Sequence, residues 1–132
     1  MKVNNYLIIT VLVLLGGCSG PSGPIDPMFD STIGGTILHY STNQSFVLEL
    51  DVAADGGYLW DYSISDTNVV RIDSTGYRPK SGNWDMEGGV TIETFYFRTL
   101  RSGISIVEMA ERRPWMRLDP PIDSLRFIVL VN

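Results

Sequence analysis

One cysteine and one histidine are all that 132 residues supply of the two side chains most used in catalysis. A single thiol, Cys18, cannot close an internal disulfide, so a core must hold by packing alone. Every nucleophilic dyad or triad would have to use His39, and no GxSxG elbow is present to carry a serine. A lone histidine near a strand end is ordinarily a surface or half-buried side chain. Zinc would find one imidazole and no free thiol in the domain, and calcium lacks a DxDxDG-type loop. The acids Asp51, Asp61, Asp66 and Asp73 fall mostly on outward strand positions or in turns, where water solvates them. Glu87 and Glu93 could be paired on paper as glycosidase carboxylates, but nothing fixes their separation. No cofactor or metal is expected, and a binding module is a better class than an enzyme. Basic clusters are missing too. Arg112-Arg113 is the one adjacent pair and the formal net charge is −5, which speaks against nucleic acid as a partner. No segment carries a helical period.

Long apolar runs occur once. Lys2 is followed by Tyr6 to Leu15, too short for a comfortable bilayer span and closed by Gly16-Gly17-Cys18-Ser19. This is the pattern of a secretory leader. Leu15-Gly16-Gly17-Cys18 resembles the bacterial lipobox, whose cysteine becomes the acylated first residue of a lipoprotein. The resemblance implies a signal peptide over residues 1–17, lipidation of Cys18, and export to a bacterial membrane, on its periplasmic or cell-surface side. Without Lys2 the remaining chain carries −6. Residues 18–31, dominated by Gly, Ser and Pro up to Pro27, read as a flexible tether.

What remains, residues 32–132, is rich in period-two alternation. Ile33 to Tyr40 reads as a first strand weakened by Gly34 and Gly35. Phe46, Leu48, Leu50 and Val52 alternate with Val47, Glu49 and Asp51, the cleanest half-buried strand in the chain. After the turn signal Asp55-Gly56-Gly57, the residues Tyr58, Trp60, Tyr62 and Ile64 mark a third strand. Val69 to Ile72 is a short strand, and Thr75 to Gly89 reads as loop with one edge strand at most. Val90 to Leu100 presents Phe95 and Phe97 on one face. Ile104 to Ala110 is ambiguous, because Ile104 and Ile106 compete with Val107 and Met109 for the inner face. Leu125, Phe127, Val129 and Val131 form the last strand. About seven short strands separated by turn signals predict an all-β fold, an antiparallel β-sandwich of immunoglobulin-like type in one domain.

Three connections hold the unusual residues: Asp55-Gly56-Gly57-Tyr58-Leu59-Trp60, Trp84-Asp85-Met86-Glu87-Gly88-Gly89, and Arg112-Arg113-Pro114-Trp115. In such a sandwich alternate connections emerge at one end, so these three could form a single edge. Arg113-Pro114-Trp115, Gly57-Tyr58-Leu59-Trp60 and Gly88-Gly89, in this order, resemble the RPW, NPTTGYxW and GxGG loops of the chagasin-type cysteine protease inhibitors. The resemblance spans roughly the whole domain. It implies reversible, noncovalent occlusion of the groove of a papain-like cysteine protease by a monomer. Asp55, Gly56, Gly57, Tyr58, Met86, Glu87, Gly88, Gly89, Arg113, Pro114 and Trp115 would be the contact residues. Three positions depart from the family pattern. Ala53-Ala54-Asp55-Gly56 stands for Asn-Pro-Thr-Thr, Met86 for the first glycine of GxGG, and Glu111 for an aromatic two residues before the arginine. An immunoglobulin-like surface module that binds another protein or a glycan, and has lost inhibition with the threonine tip, is the alternative. Taken singly, Trp115 could cap the sandwich and Arg113 could bond loop carbonyls.

Overall fold

The structure is a computed structural model describing residues 26–82 and 90–132. Eight strands form: β1 (Met28–Phe29), β2 (Ile37–Tyr40), β3 (Ser45–Val52), β4 (Leu59–Ile64), β5 (Val70–Pro79), β6 (Thr91–Thr99), β7 (Gly103–Arg112) and β8 (Asp123–Val131). They build two four-stranded sheets, ordered β1-β3-β6-β5 and β2-β8-β7-β4. Facing each other, these make the expected sandwich. Pairing is antiparallel except at two edges, where β1 runs parallel to β3 and β2 parallel to β8.

The alternation read from β3 holds. Phe46, Leu48, Leu50 and Val52 are all buried and meet Phe95 and Phe97 of β6. From the other sheet come Trp60, Val107, Met109, Phe127, Val129 and Val131. At the centre Phe46 stacks on Phe97 at 4.7 Å and nearly parallel, and Phe127 meets both rings edge-on. Such offset and edge contacts are the favoured aromatic geometries.

Two expectations are corrected and two open readings are settled. The first strand begins at Ile37, because Asp30 caps a 3-10 turn over Ser31–Ile33 and Gly35 bends the chain at φ +80°. The stretch expected as tether up to residue 31 joins the fold at its end, since Met28–Phe29 pairs with β3 and Phe29 packs edge-on against Phe46. β5 extends through Pro79, so residues 75–79 supply the one edge strand that the stretch allowed. Pro79 is tolerated there because β5 is an edge strand. On β7 the inner face belongs to Ser105, Val107, Met109 and Glu111, leaving Ile104 63% exposed.

Register sets which connections share an end. Val52, Pro79 and Thr91 lie in one row across the first sheet. In the second, Leu59 faces Arg112 and Glu111 faces Asp123. The Trp60 indole N–H donates to the Asp51 carbonyl at 2.9 Å and ties these ends together. The β3–β4 and β7–β8 connections and the base of the β5–β6 connection thus gather at one rim. At the far end, neutral hydroxyls close the turns. Thr99 Oγ1 accepts from Gln44 N and donates to Ser41 O. Ser105 Oγ accepts from Asp66 N and donates to Asp66 O.

Candidate functional site

The β3–β4 connection starts with a 3-10 turn over Ala54–Gly56. Gly56 N and Gly57 N donate to Ala53 O and Ala54 O, and Gly57 ends the turn in the left-handed region at φ +74°. Other L-residues rarely adopt that conformation, so the sequence has little choice there. Asp55 stands exposed in the turn.

From the β7–β8 connection two side chains reach across. Arg113 Nε donates to Gly56 O at 2.8 Å, and its guanidinium lies 4.7 Å from the centre of the Tyr58 ring. The bare Cα of Gly57 faces Trp115: a Cβ built there would stand 2.4 Å from the indole Cη2. The indole therefore seats on a glycine, yet stays 69% exposed. Pro114 between them is also exposed, and its ring fixes one backbone angle. Tyr58 is half-buried and packs against the core, so it supports the loop more than it presents a surface. Asp55, Gly56, Gly57, Tyr58, Arg113, Pro114 and Trp115 thus come together. Met86, Glu87, Gly88 and Gly89 lie outside the described residues, as does Cys18. The base of their connection is described: Lys80 N donates to Val90 O at 2.8 Å beside the rim.

Two buried carboxylates lie beneath the loop. Glu111 Oε1 accepts from Ala53 N at 2.7 Å, where the loop begins. Glu93 Oε2 accepts from Trp60 N at 3.0 Å, where the loop has become strand, and its Oε1 accepts from the Tyr77 hydroxyl at 2.9 Å. Burial pushes the Glu93 carboxyl above the usual glutamate range and the nearby Glu111 charge adds to the rise, while its two donors pull it back. The Tyr77 hydroxyl is pushed up to about 12, by burial and by the Glu93 carboxylate it donates to. In the sequence Glu93 shows only as a carboxylate that nothing fixes against Glu87, and Glu111 only as a departure from the family pattern. Their positions on the inner side of their strands, opposite aromatic or apolar neighbours, were the available signal. Elsewhere the acids behave as expected, with Asp51, Asp61 and Asp73 exposed, and His39 is exposed on β2.

Residues 39–129, well over half the chain, match the family described as Chagasin family peptidase inhibitor I42. The chain belongs to the chagasin family. Members of that family are peptidase inhibitors rather than enzymes. Among solved structures, the crystal structure of a cysteine protease inhibitor from Entamoeba histolytica aligns with a TM-score of 0.67 at 18% identity, covering 80% of this chain and 94% of that one. The solution structure of amebosin aligns at 0.65 and 15% identity, covering 82% of this chain and all of the other. At these identities the likeness is one of fold. No curated protein sequence matches the chain. Glu111 stands two residues before the Arg113-Pro114-Trp115 run, at the end of β7. The carboxylate acts as a hydrogen-bond acceptor for the loop backbone.

Proposed function

We propose that the protein inhibits papain-like cysteine proteases by reversible, noncovalent occlusion of the active-site groove with the loop rim. The observation that carries this reading is the joint between Gly57, Arg113 and Trp115. It presents a large, exposed indole on a stiff support. A stiff loop loses little freedom on binding, and a tryptophan offers much apolar area for few rotatable bonds. Gly57 gives the indole its seat, and Gly56 lets the Tyr58 ring lie close against the turn. Asp55, at the place of the family's threonine-bearing tip, would pair with the imidazolium of the protease's Cys-His centre. Gly88-Gly89 would complete the edge.

Titrating papain with the purified protein tests the reading. A stoichiometric loss of activity is expected, and Trp115→Ala should weaken it about 30-fold or more, as loss of a tryptophan hot spot does. Full papain activity at every ratio, repeated with other papain-like enzymes, would instead favour the non-inhibitory surface module. The same proposal places the domain on a bacterial membrane through lipidated Cys18. Expressed in a bacterium with its leader, the protein should partition into detergent, and Cys18→Ser should move it to the aqueous phase. Equal partitioning of the two forms would count against the anchor.

A further inference from the structure

The β7–β8 connection continues beyond Trp115, and its second half has no assigned role. Of the twelve large hydrophobic side chains exposed among the described residues, Trp115, Met116, Leu118 and Ile122 fall within eight consecutive positions. Leu118 is the extreme case, with its whole side chain in solvent at 101% relative exposure. A solvated leucine contributes nothing to the core, and here it stands within a run of exposed apolar side chains, the kind of patch that marks an interaction surface.

The segment that carries it is braced. Met116 N donates to Arg113 O, Asp119 N to Met116 O, and Ile122 N to Glu111 O. Arg112 Nη1 donates to Arg117 O at 3.0 Å and Arg117 Nε to Pro114 O at 3.3 Å. Pro120 and Pro121 follow. Leu118 thus stands in a hydrogen-bonded turn from Met116 to Asp119, on the same connection that seats the indole on Gly57. An apolar side chain presented by a preorganised turn is ready to enter a pocket at small ordering cost.

We propose that Leu118 is a second anchor of the inhibitory rim, filling an apolar pocket of the protease beside the groove that Trp115 covers. The inference rests on the reading of the rim as a protease contact and adds a partner chemistry: targets with an apolar recess there are preferred to targets with a charged or flat surface. Burying one leucine sets the scale of the effect.

The test uses the full chain and papain as probe. Leu118→Asp should weaken inhibition about 30-fold or more and Leu118→Ala about tenfold, by the size of a buried leucine. The thermal midpoint should not move in either, because the side chain packs against nothing. Ile104→Asp, exposed on the far end, is the control and should inhibit as the parent does. If Leu118→Asp matches the parent while Trp115→Ala is impaired, the second anchor is refuted and the inhibitory reading stands. If Leu118→Asp and Ile104→Asp lose inhibition equally, the effect is one of charge and the anchor is likewise refuted. A parent chain that inhibits no papain-like protease overturns both.

Discussion

The two ends of this sandwich meet the same demand by opposite chemistry. Each must satisfy backbone groups where strands turn. At the far end Thr99 and Ser105, both fully buried, do so with hydroxyls that donate and accept at once and carry no charge. The rim uses Glu93, Glu111 and Arg113. Hydrogen bonds to charged groups are stronger than neutral ones. Burying a carboxylate is also costlier, and a carboxylate can change its charge with pH. At Thr99 and Ser105 the closure itself therefore carries no titratable group, whereas the rim trades some stability for tight control of the loop that faces outward.

Three substitutions probe that contrast. The largest effect on folding should come from the far end. Thr99→Val keeps the shape but strands Gln44 N and Ser41 O, and should cost about 3 kcal/mol in urea unfolding with inhibition constants unchanged in the folded protein. Weaker inhibition with unchanged stability would erase the division between the ends. Next comes Gly57→Ala. A β-carbon at φ +74° strains the backbone and collides with the indole of Trp115. About 1–2 kcal/mol of stability should be lost, together with an inhibition defect that Trp115→Ala does not deepen. Additive defects in the double variant would mean the two residues act independently.

The smallest effect is Glu93→Gln. The folded carboxyl titrates above its unfolded value, by burial first. Its favourable share of stability is complete at acid pH, below the unfolded value, and is lost as pH rises through the raised folded one. Removing the titration should raise stability near neutral pH, by under about 1 kcal/mol, and flatten its pH dependence just above the unfolded glutamate range. A variant that is less stable than the parent at neutral pH would show that the carboxylate's hydrogen bonds outweigh its burial.

What was legible in the sequence follows the same division. β3 and β8 could be read because one face of each is apolar and the other mostly polar or only partly covered. β7 could not, since Ser105 and Glu111 occupy buried places while Ile104 faces water. Only the start of β5 could be read plainly, because an edge strand with one solvated face has little apolar pattern to show. The meeting of Gly57 with Trp115 was legible only through the resemblance. No periodicity connects two segments so far apart, and the contact exists because register brings the β3–β4 and β7–β8 connections to one end. The carboxylates beneath the loop were hidden for a plainer reason: a glutamate on a strand reads as solvent-facing unless its hydrogen-bond partners are known. β1 escaped notice because two residues in a Pro-rich stretch give no period.

The parallel pairing of β2 with β8 carries a kinetic consequence. Ile37 finds its partner Ile128 roughly ninety residues later. While the polypeptide is being made, that edge of the second sheet has nothing to bind until β8 has been synthesised. A nascent chain of this topology therefore completes its second sheet only near the end of synthesis.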